Sequence, residues 1–227
     1  MEHINNFSLT KYQHRKIIGY LGLMLPLILV IGTSIFGCNQ IQSSISDYYH
    51  TITRDFFIGI TVLISFFFYT YRGYKGDQFA FKIAAIAVLF VAYFPTSIDL
   101  DVRENCLEFI NTNRSFSVSR HIHNTSAIIF FSVLTYICLF LFTNPKYATS
   151  KFKEAKTRCI IIKFCGYIML LVVLVIISFF IFKLHEIERI KKLHLVFYLE
   201  VTALTSFSIA WLVKGRFISV LQNNTPL

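Results

Sequence analysis

Four ionisable side chains lie in or beside long apolar runs of this sequence: His50, Asp55, His123 and Glu200. Imidazole and carboxylate groups can bind a metal ion, carry a proton or act as a general acid or base. A charge beside hydrocarbon is costly, so such residues are usually paired, face a cavity and take part in function. We therefore expect any chemistry of this chain to involve these four residues.

The segment that contains His50 begins with a serine and ends with an aspartate. Ser46 and His50 are four residues apart, so they share a face if the segment is helical. A histidine held by a hydroxyl at a water–lipid boundary can be a metal ligand or a proton carrier. The alternative is an interfacial turn in which Thr51 or Thr53 caps the next helix and Asp55 lies in its first turn.

A His-x-His pair, His121 and His123, precedes the apolar run at about 125–142. Two residues so spaced point apart in a helix, so one of them at most can face the interior of a bundle. We choose His123, which is nearer the apolar run. The alternative is that the pair marks a helix start, with Asn124 or Thr125 as the cap.

Glu200 lies several residues inside the apolar run at about 193–213. A glutamate in that position must be protonated, paired with another group or in contact with a wet cavity. The partners that the sequence offers are Arg54, His50 and His123. Glu200 is therefore the single residue that most strongly predicts a site.

Six apolar runs are long enough to be membrane spans, because about 20 apolar residues cross a bilayer core. Each is expected to be a helix, since backbone groups in lipid must be satisfied internally. Hydrophobic residues make up 55% of the 227 residues and charged residues 15%, too few charges to cover a soluble domain. The sequence predicts an all-α, six-transmembrane-helix bundle forming one integral membrane domain over residues 1–227. The expected spans are about 17–36, 56–71, 79–94, 125–142, 160–182 and 193–213.

Lysine and arginine concentrate in the N-terminal tail, the second and fourth connections and the C-terminal tail, whereas most acids lie in the other loops. This asymmetry predicts that both termini are cytoplasmic. The basic fifth connection, Lys183 to Lys192, runs against the trend. The net charge of +10 follows from these loops, and nucleic-acid binding is not expected because it needs a continuous basic face.

This topology places the first, third and fifth loops on the non-cytoplasmic side, where the spans carrying the four ionisable residues begin. The four can then meet in one shallow polar cavity. His50 and His123 as metal ligands, with Glu200 or Asp55 as ligand or general base and Ser46 beside them, would suit zinc with an open position for water. The same set would equally suit a proton-coupled binding site.

Two cysteines, Cys38 and Cys106, fall in loops on the non-cytoplasmic side, a compartment that permits disulfides. A bridge between them would tie the first loop to the third, and the alternative is two free thiols. The other three, Cys138, Cys159 and Cys165, sit in or near apolar runs and are interpreted as small packing residues.

The order of several motifs resembles a widespread group of uncharacterised bacterial multi-pass membrane proteins. The motifs are Ser-Asp-Tyr-Tyr-His-Thr from Ser46, Arg-Asp-Phe-Phe-Ile-Gly from Arg54, Phe94-Pro95-Thr96, His123 before an apolar run, Glu200, and Trp-Leu-Val-Lys-Gly from Trp211. The resemblance covers most of the chain. It implies a six-helix integral membrane protein and assigns no activity.

The spacing Ser46-x-x-x-His50 also resembles a motif of the alkaline ceramidase and adiponectin-receptor superfamily of membrane hydrolases. That resemblance implies that His50 is a zinc ligand and that Ser46 lies beside the metal. The chain departs from the family: Asp55 follows sooner, the late His-x-x-x-His is absent and there are six expected spans rather than seven. The implied roles therefore extend to Ser46 and His50 alone.

Taken together, the sequence favours a non-enzymatic integral membrane protein, namely a sensor, a carrier or a partner of a membrane complex. A bacterial plasma (inner) membrane is the expected location, with the lipid bilayer and a membrane protein as partners. The alternative is a zinc-dependent membrane hydrolase with a lipid substrate. A third hypothesis is a proton-coupled carrier in which Glu200 titrates.

Overall fold

The computed structural model describes residues 10–36, 39–73, 77–96, 116–144, 153–182 and 193–217. In these ranges every regular element is a helix and none is a strand, which confirms the all-α prediction. A 3-10 turn, Ser46–His50, precedes the second α-helix, and a π-helical turn, Ile137–Leu141, continues the fourth. The α-helices are α1 (Lys11–Ile35), α2 (Arg54–Thr70), α3 (Gln78–Tyr93), α4 (Phe116–Tyr136), α5 (Lys153–Ile181) and α6 (Leu195–Lys214).

Each predicted span coincides with one of these helices, but α4 begins earlier than expected. The sequence places the start of the fourth span near residue 125, whereas α4 begins at Phe116. His123 therefore lies about two turns inside the helix, and the interpretation of Asn124 or Thr125 as a cap is wrong. The polar stretch before the apolar run remains helical because its residues contact the segment that follows α3, as described below.

The two cysteines of the expected disulfide, Cys38 and Cys106, lie outside the described residues, so that bridge stays a prediction. The other three cysteines are free thiols. Cys138 and Cys165 are buried in the apolar core, in agreement with the packing role expected of them.

The helices form a closed ring in chain order, because each packs against the next and α6 packs back against α1. Their directions alternate. Arg15, near the start of α1, reaches Tyr71 after α2 and Lys214 at the end of α6. At the opposite end, Gly32 of α1 faces Thr53, which precedes α2. We call the first of these the basic end and the second the polar end.

Aromatic rings fill the interior of the ring towards the basic end. The indole of Trp211 is fully buried, and its centroid lies 5.3 Å from that of Phe68, 5.9 Å from Phe81 and 5.0 Å from Phe142. These rings meet edge to face, the arrangement that aromatic quadrupoles favour. They join α2, α3 and α6 to the residue that follows the π-helical turn.

Large apolar side chains also cover the outside of the bundle. Phe66 and Tyr69 of α2 are 58% and 62% exposed, and Phe164 and Leu171 of α5 are 65% and 62% exposed. Apolar groups on the outer as well as the inner face of a helix are typical of a bundle that lies in lipid.

Within the described ranges, four helices are long and apolar enough to cross a membrane by length and composition: Lys11–Ile35, Val118–Leu141, Ala155–Ile181 and Leu195–Lys214. The other two, α2 and α3, have 17 and 16 residues. Helices of that length rise about 25 Å, near the lower limit for a span. The structure thus indicates a helical membrane protein, whereas six crossings and cytoplasmic termini stay predictions.

Glycines allow α1 and α6 to approach closely at the middle of the bundle. A Cβ atom on Gly22 would lie 2.6 Å from Ser208 Oγ and 3.0 Å from the Phe207 ring. One on Gly19 would lie 2.8 Å from Leu212 Cγ. Small residues at a helix–helix contact in lipid let the two backbones pack by van der Waals contact.

Candidate functional site at the polar end

Residues 39–53, which we call the docked segment, fold over the polar end between α1 and α2. Its centre is the 3-10 turn, in which the Tyr48 N–H donates to the Ile45 carbonyl at 3.3 Å. The turn begins where the Ser44 hydroxyl accepts from Asp47 N–H and ends where the Thr51 hydroxyl donates to the Tyr48 carbonyl. Short hydroxyl side chains bonding nearby backbone favour such turns over a regular helix.

Side chains of this turn are largely buried. Ser46 is 8% exposed and His50 2%, and Tyr48 and Thr51 are fully buried. Burial raises the pKa of Tyr48, so its phenol stays protonated at neutral pH. The expected cap of α2 is not formed, since Thr53 makes no side-chain bond to that helix and instead bonds the Thr51 hydroxyl at 2.9 Å.

His123 links the docked segment to α4 and to the end of α3. Its Nδ1 lies 2.7 Å from the Phe94 carbonyl oxygen, and its Nε2 lies 2.8 Å from Ser46 Oγ. A carbonyl can only accept, so Nδ1 carries the proton, and in the neutral ring Nε2 accepts from the Ser46 hydroxyl. The buried member of the pair is His123, while His121 is exposed, as the sequence predicts.

The residues that follow α3 are held by three side chains in succession. His123 bonds the Phe94 carbonyl, the Ser119 hydroxyl donates to the Pro95 carbonyl at 2.8 Å, and His50 Nε2 lies 3.1 Å from the Thr96 carbonyl oxygen. Carbonyls at a helix end need partners from outside the helix. The two imidazoles thus bond carbonyls two residues apart in the short stretch that follows α3.

Glu200 attaches the docked segment to α6. Its Oε2 accepts from the Ile45 N–H at 2.6 Å, and beside it the Phe197 N–H donates to the Ser43 carbonyl at 3.0 Å. The expected pairing with Arg54, His50 or His123 is wrong. The carboxyl group lies instead at the start of the 3-10 turn, where the Ile45 N–H needs an acceptor from outside the turn.

Asp55 does not join this group. It lies in the first turn of α2 with its side chain exposed, where a carboxylate interacts favourably with the helix dipole. Its neighbour Arg54 turns the other way, onto the ring of Tyr49, with 4.9 Å between the guanidinium carbon and the ring centroid. The structure brings together Ser46, His50, His123 and Glu200 around the docked segment and leaves Asp55 outside.

The expected zinc site does not assemble in the described part of the chain. No three His, Cys, Asp or Glu side chains among those residues are arranged to hold a metal ion. Both ring nitrogens of His123 are already bonded within the protein, and the Glu200 carboxylate is bonded to backbone. The side chains present therefore do not fit a zinc ion as arranged here.

Comparison of the chain with protein-family models, with curated proteins and with solved structures gives no match. The two resemblances seen in the sequence accordingly stay predictions, as does a bacterial origin.

Sequence reasoning missed the partners of the site because they are backbone groups. The carbonyls of Phe94, Pro95 and Thr96 carry no residue-type signal. One signal was present: Pro95 ends α3 and has no N–H, so the carbonyls around it need donors from other elements.

Proposed function

We propose that this chain is a six-span integral membrane protein of the bacterial plasma membrane with both termini in the cytoplasm. Support comes from the lysine and arginine excess of the tails and even-numbered connections. The alternating helix directions support it too, since they bring the start of α1 and the end of α6 to the same end of the bundle. The polar end is then non-cytoplasmic.

At that end, we propose, the docked segment serves as the binding element of a non-enzymatic sensor or membrane-complex partner. The observation that supports this proposal is that the polar side chains of the site form hydrogen bonds within the protein that hold the segment in place. Glu200 and His50 bond backbone, and His123 bonds backbone and Ser46, so they position the segment. Their contacts extend from α6, from the stretch after α3 and from α4.

Movement of the docked segment would change the contacts of several helices at once. It is continuous with α1 and α2, and its anchors lie on α4 and α6. Four hydrogen bonds join the segment to other elements, through Ser43, Ile45, Ser46 and His50. A typical hydrogen bond contributes about 0.5–1.5 kcal/mol, so these four together are worth about 2–6 kcal/mol. Such a segment can open locally without unfolding the bundle.

Amide hydrogen exchange in lipid nanodiscs tests this. Peptides covering residues 43–50 should exchange through a local opening of about 2–6 kcal/mol, while the interiors of α1 and α6 stay protected. The His121→Ala variant, altered at an exposed neighbour, should exchange like the unaltered chain. Exchange of the docked segment at the same slow rate as the helix interiors would contradict a movable sensor.

A second candidate function rests on the Ser46–His123 pair. A serine hydroxyl donating to a histidine whose other nitrogen is fixed by an acceptor is the arrangement of an activated nucleophile. In this hydrolase, Ser46 Oγ would attack the acyl carbonyl of a lipid ester while its proton passes to His123 Nε2. The proton then goes to the leaving alcohol, and water releases the acyl group with His123 again as base.

A fluorophosphonate probe distinguishes the two candidates. Covalent labelling of Ser46, lost in Ser46→Ala and reduced at least ~100-fold in His123→Gln, would support the hydrolase. Ser34→Ala, which removes an exposed hydroxyl of α1, is the matched control. Absence of labelling in a folded sample would leave the sensor as the sole proposal.

A further inference from the structure

The basic end contains a buried arginine with no carboxylate partner among the described residues. Arg15 is 3% exposed. Its Nε donates to the Tyr71 hydroxyl at 2.6 Å and its Nη1 to the Lys214 carbonyl at 3.4 Å, both neutral acceptors. The second terminal nitrogen, Nη2, donates to no acceptor in the described part of the chain. Because the described residues offer Nη2 no acceptor, this N–H group can donate to an anionic ligand.

Aromatic rings hold this guanidinium in place. The guanidinium carbon lies 5.8 Å from the ring centroid of Tyr12, 5.7 Å from that of Tyr71 and 5.6 Å from that of Phe142. Cation–π contacts of this kind lower the cost of burial and fix the orientation of the group. They accept no hydrogen bond from Nη2, so this nitrogen can still donate to a ligand.

Further cations gather at the same end. Lys214 bonds the Phe142 carbonyl through Nζ and interacts electrostatically with Arg15 and Arg158. Arg216 follows, 4.6 Å from the Tyr12 ring centroid. The buried Asp77 is an acidic neighbour of Lys214. This gathering of cationic side chains around Lys214 is the second feature that suits an anionic ligand.

We propose that Arg15 and Lys214, with Arg158 and Arg216 around them, bind a phosphate group at the basic end. A guanidinium offers parallel N–H donors that match two phosphate oxygens, and a lysine adds a point charge. Basic pockets between helices at a membrane boundary suit the headgroups of anionic lipids. A free phosphate has the same chemistry, and the test separates the two sources. The inference is independent of the function proposed for the polar end.

Trp211 provides a local reporter, because the chain has one tryptophan and its ring lies 5.4 Å from that of Tyr71. Delipidated protein in a neutral detergent is titrated with dihexanoyl phosphatidylglycerol, with dihexanoyl phosphatidylcholine and with inorganic phosphate. We expect a saturable change in fluorescence with phosphatidylglycerol. An equal response to phosphatidylcholine would overturn the proposal. If inorganic phosphate also saturates the site, the source is a free phosphate; if it does not, the source is a lipid headgroup.

Variants test the assignment to residues. Arg15→Gln should weaken binding about tenfold or more, the equivalent of losing about 1.4 kcal/mol. Lys82→Gln, an exposed lysine of α3, removes the same charge and should change the affinity less than about twofold. Equal losses in the two variants would refute the site. If Arg15→Gln does not fold, Lys214→Gln takes its place in the comparison with Lys82→Gln, and the same outcomes apply.

Discussion

Ser46, His123 and the Phe94 carbonyl form a chain of hydrogen bonds in which each member fixes the next. Replacing His123 with alanine leaves a buried carbonyl and a buried hydroxyl without their partner, which should cost about 1–3 kcal/mol of unfolding free energy. Ser46→Ala should cost about 1 kcal/mol. In the double variant the two losses should not add, because both variants break the same bond.

Equilibrium unfolding in mixed micelles measures these free energies. His121→Ala, at the exposed histidine two residues away, is the control and should lie within about 0.5 kcal/mol of the unaltered chain. Additive losses from Ser46→Ala and His123→Ala would show that the bond between them does not stabilise the fold.

At this residue scale the sequence predicts which side chains turn inward but not what they bond. The cost of a charge in lipid marks Glu200, and the helix period separates His123 from His121. Their partners are the Ile45 N–H and the Phe94 carbonyl, and such backbone groups are common to nearly all residue types. The prediction that Asp55 joins the site is wrong for a related reason. An aspartate in the first turn of a helix interacts favourably with the helix dipole even when its side chain points outward.

The docked segment is an element that is held in part by a carboxyl group of α6. Glu200→Gln keeps an acceptor of the same reach for the Ile45 N–H, whereas Glu200→Ala leaves that N–H without its partner. We expect Glu200→Ala to lower the opening free energy of residues 43–50 by about 1–3 kcal/mol and Glu200→Gln to lower it by less. Hydrogen exchange of that peptide gives both values. An equal effect of the two substitutions would mean that the bond does not anchor the segment.

The contact between α1 and α6 depends on space that only glycine leaves. Gly22→Ala places a methyl 2.6 Å from Ser208 Oγ, so it should destabilise the protein by about 1–3 kcal/mol through overpacking. Gly59→Ala is the matched control, since nothing lies within 4 Å of a Cβ there, and it should gain up to about 1 kcal/mol from helix propensity. Equilibrium unfolding in mixed micelles measures the change in unfolding free energy of each variant and so distinguishes destabilisation from stabilisation. A Gly22→Ala variant as stable as the unaltered chain would contradict close packing.

On the scale of the whole molecule, the lengths of the apolar runs predict the six α-helices of the described residues, because lipid forces a spanning backbone to be helical. The early start of α4 at Phe116 was missed, since its first turns are polar and their helical state depends on contacts such as that of Ser119 with Pro95. The closure of the ring between α6 and α1 could not be predicted either. It depends on small residues, Gly19 and Gly22, that hydropathy does not separate from other apolar positions.

The proposed orientation and the number of crossings can be tested together with single cysteines in a cysteine-free chain. Gln40→Cys probes the polar end, Lys11→Cys the basic end and Arg72→Cys the end of α2, all at exposed positions. In intact spheroplasts a membrane-impermeant maleimide should label Gln40→Cys, whereas Lys11→Cys and Arg72→Cys should react only after permeabilisation. The reverse pattern at Gln40→Cys and Lys11→Cys would invert the topology. Labelling of Arg72→Cys from outside, with Lys11→Cys protected, would mean that α2 and α3, the two shortest helices, do not cross the bilayer and that the bundle has four spans.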